Sequence, residues 1–192
     1  RFGKIFSCNV TVRWNRGMSY YTEDNGRRGS REMAGGVFTN QSVHYIDMMQ
    51  WLIDAPARTV FSKMDTCVYP VEVETHGSAI IHFENGVIGS LDLSNLTFPD
   101  DTEGSITILG EKGTVKIGGK SMNRVLEWKF QDSDPDDKQV SGADSAPPTV
   151  YGFGHQEFYD RVVRFLLAGE GQDDIIDGLE GRKSVELLEA LY

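Results

Sequence analysis

Hydrophobic residues recur along the chain with two periods, one helical and one typical of strands. The helical period is clearest in residues 35–53, where apolar side chains leave only a narrow polar stripe. At about 100° per residue, four side chains of this stripe fall within about 60° of one another. They are Asn40, His44, Asp47 and Trp51. The pattern predicts a mostly buried helix that starts at Thr39 or Asn40, ends near Pro56 and turns its polar stripe to a cleft.

The rest of the pattern is mainly that of strands. Residues 4–14 are β-branched and aromatic, with Phe6, Val10 and Val12 on one parity. Six further strand-like segments follow, at 58–68, 75–84, 87–98, 104–110, 113–119 and 124–130. The short turns at 84–86 and 110–113 are typical of hairpins. We therefore expect mostly antiparallel pairing.

The segment at 75–84 shows what the two faces of this sheet should be. Ala79, Ile81 and Phe83 share one face, and Ile80 and His82 share the other. Because the second face is not purely polar, another subunit could cover it.

Two amphipathic segments near the end of the sequence predict helices at 156–168 and 178–192. Their apolar faces carry Phe158, Val162, Phe165 and Leu166 in the first, and Val185, Leu188 and Leu191 in the second. Both helices are expected to pack on the sheet. Residues 132–150, acidic and rich in Pro and Ser, predict an exposed loop. The expected fold class is α+β: residues 1–192 form one domain, an open, mostly antiparallel β-sheet with helices packed on one face.

Composition limits the partners that this chain can have. The formal net charge of −10 argues against nucleic acid and against an anionic membrane surface. No apolar run reaches the roughly 18 residues needed to span a bilayer, so a cytoplasmic location is the default expectation. Cys8 and Cys67 stand far apart, and the four histidines form no zinc pattern. We expect unpaired, buried thiols and no metal site.

A basic and aromatic segment follows the first predicted strand. It includes Arg13, Trp14, Arg16, Tyr20, Tyr21, Arg27, Arg28 and Arg31. Since guanidinium groups bind oxyanions bidentately, this segment is a candidate for holding a carboxylate or phosphate. The alternative is a solvated loop with stacked Arg and Tyr side chains. Similarly, His44 and Asp47 could form an ordinary buried hydrogen-bonded pair rather than part of a site.

Four motifs together resemble the C-terminal domain of the glucose-fructose oxidoreductase, inositol dehydrogenase and rhizopine-catabolism (Gfo/Idh/MocA) family. They are RFGKI, GGVFTNQSVHYIDMMQWL, GEKGTVKIGG and DGLEGRKSVELLEALY. In that family an N-terminal Rossmann domain binds NAD or NADP and supplies a catalytic lysine, and the C-terminal domain provides the substrate pocket. The resemblance implies that this chain is the substrate-binding and oligomerisation half of a two-domain dehydrogenase. Without the Rossmann domain, which is absent from this chain, the isolated half is expected to be inactive.

The resemblance also implies roles for the polar stripe. His44 matches the histidine that serves as acid or base at the oxidised hydroxyl, a task that suits an imidazole because it titrates near neutrality. Asn40 matches a position often occupied by aspartate or asparagine, and it is expected to be a second catalytic residue that orients the sugar hydroxyls. Asp47 matches a recurring acidic residue, either a substrate contact or an orienting partner.

Within the family, RWNRGMSYY, NQSVH, SNLTFP and GGKSMNRVLEW are most similar to one branch. Its members oxidise C3 of UDP-linked N-acetylated hexosaminuronic acids in bacterial surface-polysaccharide (lipopolysaccharide) biosynthesis. Arg16 and Tyr20, with Arg13 nearby, are then the expected carboxylate contacts, and a homodimer or homotetramer through the sheet is the expected assembly. Two alternatives stay open: a dehydrogenase of free sugars or inositol, and a non-catalytic sugar-binding or assembly module with the same fold.

Overall fold

Alternating buried and exposed side chains build one seven-stranded sheet in the computed structural model, which describes residues 1–120, 122–140, 154–169 and 175–192. The strands are β1 (Ile5–Arg13), β2 (Ala57–Asp65), β3 (His76–Phe83), β4 (Ile88–Ser94), β5 (Glu103–Gly110), β6 (Gly113–Gly118) and β7 (Arg124–Phe130). The α-helices are α1 (Met18–Thr22), α2 (Val43–Ile53), α3 (Asp137–Val140), α4 (Gly154–Ala168) and α5 (Gly178–Leu191). Every predicted strand is confirmed.

The strands lie in the order β2-β3-β4-β1-β5-β6-β7. All neighbouring pairs are antiparallel except β1 and β4, which run parallel at the centre of the sheet. Val10 of β1 therefore has Leu91 of β4 on one side and Ile106 of β5 on the other. The mostly antiparallel open sheet of the α+β class is thus confirmed.

The inner face of the sheet holds the hydrophobic core. It is built from the strand residues Cys8, Val10, Val12, Ala79, Ile81, Phe83, Leu91, Leu93, Ile106 and Ile108, covered by side chains of α2 and α5. Each fully buried large apolar side chain stabilises the fold by about 1.5–3 kcal/mol. Phe6, predicted on this face, is instead 47% exposed. The pairing of β1 with β5 shifts register between Ile5 and Ser7, which breaks the alternation there.

Helix α2 ends where the sequence predicts but begins later. Its last residue is Ile53, and Asp54 follows in the left-handed conformation, just before Pro56. Its first residue is Val43, because Val37–Gln41 form a separate wide turn in which Ser42 N–H donates to Val37 O at 3.0 Å. We call Val37–Gln41 the Asn40 turn.

The two C-terminal helices differ in how they pack. Helix α5 contacts α2 and β2, and it buries Leu187, Leu188 and Leu191. Val185, predicted on its buried face, is 53% exposed, since Ser184 and Leu187 turn inward in its place. Helix α4 forms as predicted, but its expected packing on the sheet is wrong for the described residues, where it buries no side chain. The core over the inner face is supplied by α2 and α5 instead.

Among the described residues, the outer face of the sheet exposes large apolar side chains. Phe61, Ile80 and Ile88 come from the neighbouring strands β2, β3 and β4. Of the predicted acidic loop at 132–150, residues 132–140 are described and include the exposed helix α3, whereas 141–150 lie outside the described residues. No helix among the described residues is long and apolar enough to cross a membrane.

Candidate functional site

The predicted polar stripe of α2 is exposed. His44, Asp47 and Trp51 face away from the core, whereas Ile46 and Met49 are completely buried on the opposite side. The buried side of α2 therefore fixes the direction of His44. Among the described residues its imidazole makes no hydrogen bond, so both ring nitrogens are available to a ligand.

Asp47 is held by α5 rather than by His44. Its Oδ1 accepts a hydrogen bond from Ser184 Oγ at 2.5 Å, and Gln50 Nε2 donates to the same Ser184 Oγ at 3.3 Å. The interpretation of His44 and Asp47 as a buried hydrogen-bonded pair is therefore wrong. Asp47 links two helices at the level of the site.

Asn40 lies in its own turn just before α2, and it is half-buried. Its N–H donates to Gly36 O at 2.8 Å. Two glycines make this turn possible. Gly35 has φ +68°, a left-handed conformation that favours glycine, and a Cβ at Gly36 would overlap Glu74.

Glu74 is the buried anchor of the Asn40 turn, with an exposed fraction of only 6%. Its backbone carbonyl accepts a hydrogen bond from Val37 N–H at 3.0 Å, and its carboxylate accepts one from Phe38 N–H at 3.0 Å. The same carboxylate oxygen accepts a hydrogen bond from the Tyr192 hydroxyl at 2.7 Å. Burial, reinforced by the Glu74 carboxylate, raises the pKa of Tyr192.

A second network joins the Asn40 turn to the basic and aromatic segment. Gln41 Nε2 donates to Tyr20 Oη at 2.6 Å, and Gln41 Oε1 accepts from Asn95 Nδ2 at 3.0 Å. Asn95 is 1% exposed and also donates to Tyr21 Oη at 3.2 Å. Burial of Tyr21 raises the pKa of its phenol. Tyr20 is thereby placed next to the turn that carries Asn40.

Arg16 lies beside Tyr20 and is both stacked and ion-paired. Its guanidinium carbon is 5.0 Å from the centre of the Trp14 ring and 5.7 Å from that of Tyr20. Its Nη1 donates to Asp101 Oδ1 at 3.0 Å and to Asn15 O at 2.6 Å. Within the described part of the chain, Nε and Nη2 of Arg16 make no hydrogen bond, so one edge of the guanidinium is open to an oxyanion.

Arg28 flanks the same aromatic ring. Its guanidinium lies 4.8 Å from the centre of Tyr20 and 3.4 Å from the Glu23 carboxylate. The stacking that the sequence left as an alternative is therefore present, and it brings two guanidinium groups to one tyrosine. Stacked arrangements of this kind are still compatible with binding an anion.

Arg13 does not join this cluster. It follows the buried Val12 in β1, so strand alternation places it on the outer face of the sheet, where it pairs with Asp92. The carboxylate partner raises the pKa of Arg13. The sequence grouped Arg13 with Arg16, but in one chain the sheet separates it from His44.

Several residues of the site were missed by the sequence interpretation, and two of them, Gln41 and Glu74, have a recognisable sequence signal. The missed residues are Gln41, Glu74, Asn95, Ser184 and Tyr192. Gln41 directly follows Asn40, and Glu74 interrupts an apolar segment just before a strand. Ser184 lies in α5 and Tyr192 directly follows it, and no local pattern specifies the contact of α5 with α2.

No group of three or more His, Cys, Asp or Glu side chains among the described residues could hold a metal ion. The described sheet also offers no strand followed by a glycine-rich turn and a helix, the arrangement that holds a dinucleotide. Burial and the nearby Asp101 raise the pKa of Tyr45 to about 12, so its phenol stays neutral beside the site.

The open α+β sheet thus carries an exposed imidazole, an adjacent amide and a guanidinium–aromatic cluster. Residues 1–116 match the sequence profile of the GFO/IDH/MocA C-terminal domain. The chain belongs to the Gfo/Idh/MocA family of oxidoreductases, as a C-terminal domain.

Two solved structures cover the whole chain at high similarity. The WlbA dehydrogenase from Bordetella pertussis, in complex with NADH and UDP-GlcNAcA, is 39% identical with a TM-score of 0.86. The WlbA dehydrogenase from Chromobacterium violaceum, in complex with the same two molecules, is 41% identical with a TM-score of 0.89. The chain covers 53% and 52% of these two proteins, or about half of each.

More distant structures share the fold alone. GenD2 from gentamicin A biosynthesis, in complex with NAD, is 20% identical over 100% of this chain and 53% of its own, with a TM-score of 0.69. A search of curated protein sequences finds no match.

Proposed function

We propose that this chain is the substrate-binding half of an NAD- or NADP-dependent dehydrogenase that oxidises the C3 hydroxyl of a UDP-linked N-acetylated hexosaminuronic acid. One observation carries the proposal: His44 is exposed one turn after Asn40, in a chain 39–41% identical over its whole length to two WlbA dehydrogenases. Those two structures hold NADH and UDP-GlcNAcA.

In the proposed reaction His44 is the general base. Its imidazole, without a hydrogen-bond partner among the described residues, accepts the proton of the sugar hydroxyl as the C–H bond gives up its hydride. The side-chain amide of Asn40 both donates and accepts, so it can orient neighbouring hydroxyl groups. Asp47 acts mainly through Ser184, which keeps α2 in place against α5.

The acidic group of the substrate is assigned to Arg16 and Tyr20. The open edge of Arg16 can form a bidentate pair with a carboxylate, and Tyr20 fixes the plane of the guanidinium by stacking. Since Tyr20 also binds Gln41, this contact is rigidly connected to Asn40. Arg13 lies on the outer face and pairs with Asp92, so we assign it a structural role at the end of β1. Within one chain it does not contact the substrate.

The nicotinamide cofactor is the hydride acceptor, and it is bound mainly by a domain outside this chain. The described residues have no dinucleotide-binding unit, so the isolated chain is expected to lack turnover. A cytoplasmic role in surface-polysaccharide biosynthesis fits the proposed substrate. The apolar residues on the outer face favour a homodimer or homotetramer formed through the sheet.

The test is turnover by the full-length protein with UDP-GlcNAcA, followed by NADH absorbance. His44→Ala should lower kcat by about 10²–10⁴-fold, the usual contribution of a general base. His155→Ala is the matched control because His155 is exposed on α4, which buries no side chain among the described residues. Equal activity with uncharged free sugars would favour the free-sugar dehydrogenase instead, and no NAD reduction with any sugar would favour a non-catalytic module.

A further inference from the structure

We infer that Glu74 and Tyr192 are positioning residues that hold the Asn40 turn in its catalytic conformation. The inference rests on the proposed function of the same site. Neither residue is close to Asn40 in sequence: Glu74 precedes β3, and Tyr192 follows α5. Both reach the turn through hydrogen bonds to its first three residues.

Glu74 grips the turn with its backbone and its side chain together. Its carbonyl accepts from Val37 N–H and its carboxylate from Phe38 N–H, both at 3.0 Å. Among the described residues, no lysine, arginine or histidine lies within salt-bridge distance of the Glu74 carboxylate. Every ion pair there involves a different aspartate or glutamate. A buried charge of this kind depends on the N–H and O–H groups around it.

Tyr192 adds the second restraint. A phenol has one hydroxyl hydrogen, and Tyr192 donates it to Glu74 at 2.7 Å. The contact of 2.5 Å between Thr39 Oγ1 and Tyr192 Oη must then be donated by Thr39. The bonds therefore run in one direction, from Thr39 to Tyr192 to Glu74, and they attach the residue next to Asn40 to the end of α5.

The sequence is arranged to allow this close approach. A Cβ at Gly36 would overlap both the carboxyl carbon and the carbonyl oxygen of Glu74. Gly36 O in turn accepts the hydrogen bond of Asn40 N–H at 2.8 Å. The glycine pair before the helix thus serves to bring Glu74 against the backbone that orients Asn40.

The consequence for catalysis follows from geometry. A misplacement of about 1 Å can cost about 10²-fold in rate. Removing the Tyr192 hydroxyl leaves Glu74 short of one donor and Thr39 without its partner, so the Asn40 turn loosens. Arg16 is also held by Asp101 and Trp14, so it should move less than Asn40.

The experiment compares two hydroxyl deletions in the full-length protein. Tyr192→Phe removes the link to the turn. Ser62→Ala, the matched control, removes a hydrogen bond from β2 to Leu191 O at the same end of α5 but leaves the turn untouched. Steady-state kinetics with UDP-GlcNAcA are combined with hydrogen exchange of the Phe38 and Asn40 amides.

We expect Tyr192→Phe to lower kcat by on the order of tenfold, with KM for the sugar changed less than about twofold, and to speed exchange at Phe38. Ser62→Ala should leave kcat and this exchange unchanged, even if it lowers Tm as much as Tyr192→Phe does. Glu74→Gln keeps an acceptor oxygen and should retain more turnover than Glu74→Ala.

Four outcomes separate this inference from the proposed function. Faster Phe38 exchange in Tyr192→Phe together with a lower kcat supports both. If the unmodified protein turns over no sugar, faster exchange in Tyr192→Phe still supports the hydrogen-bond link, but the proposed function is overturned. Unchanged exchange and unchanged kcat in an active protein overturn the positioning role, as does a loss of kcat in Ser62→Ala equal to that in Tyr192→Phe.

Discussion

The hydrogen bond between the buried Gln41 and the half-buried Tyr20 should be measurable as a coupling energy in a double-mutant cycle. Gln41 is buried, so Tyr20→Phe leaves its Nε2 group without the acceptor that it has at 2.6 Å. A buried polar group left unpaired costs about 1–3 kcal/mol. We therefore expect Tyr20→Phe to lower the free energy of unfolding by about 1–3 kcal/mol, although it removes a single oxygen.

The companion change is Gln41→Leu, which removes the amide and keeps most of the volume. Asn95 then loses its acceptor at 3.0 Å but keeps Tyr21 at 3.2 Å, and the half-buried Tyr20 hydroxyl can turn to water. In this background Tyr20→Phe breaks no remaining bond to the turn. The double variant should therefore be more stable than the sum of the single effects predicts, by about 1 kcal/mol or more.

Urea unfolding of the four proteins, followed by circular dichroism, gives this coupling energy directly. Tyr69→Phe provides a reference for removing a tyrosine hydroxyl whose ring packs near Tyr21 rather than on the turn. If the single effects add to within about 0.3–0.5 kcal/mol, Tyr20 and Gln41 are not coupled. The connection between the guanidinium cluster and the Asn40 turn would then be refuted.

Three further predictions concern other parts of the molecule. Arg16→Lys should raise KM for an acidic nucleotide sugar about tenfold with little change for a neutral one, since lysine cannot form the bidentate pair; equal changes for both sugars would contradict the role. Burial raises the pKa of Cys8 to about 12 from 9.0, so the unfolded chain releases this proton first and the free energy of unfolding should fall as pH rises from 9 to 12. Thiol labelling of the folded protein should modify the partly exposed Cys67 before Cys8. Phe61→Lys combined with Ile80→Lys should reduce the molecular mass measured by light scattering if the outer face joins subunits; an unchanged mass places the interface elsewhere.

Local periodicity was enough to predict most of the fold. Strand alternation identified every strand, and it assigned Ala79, Ile81 and Phe83 correctly to the core. Helical periodicity likewise predicted that His44 and Trp51 lie opposite the buried face of α2. These assignments succeed because burial against one sheet face imposes a period of two on strands and of 3.6 on helices.

The predictions that were wrong have other causes. The start of α2 was misplaced because Glu74, distant in sequence, stabilises a wide turn where helical pattern alone predicts a continuous helix. Helix α4 has the amphipathic pattern of a packed helix, yet α2 and α5 already cover the inner face. Arg13 was grouped with Arg16 by proximity, whereas the parity of Val12 already implied the opposite face. Tertiary contacts, which no local window contains, decide the first two cases, whereas local strand parity decides the face of Arg13.

Two of the four residues that the sequence placed on one helical stripe, His44 and Asn40, are therefore held by separate sets of contacts. His44 is oriented by the buried face of α2, whose Ile46 and Met49 pack on the sheet. Asn40 is oriented by the turn that Glu74 anchors. Since Ser42 joins the two units, a change in Glu74 can move Asn40 without moving His44. Substitutions in the Glu74 network should consequently affect the orientation of the sugar and leave the proton acceptor in place, whereas substitutions in the α2 core should displace His44.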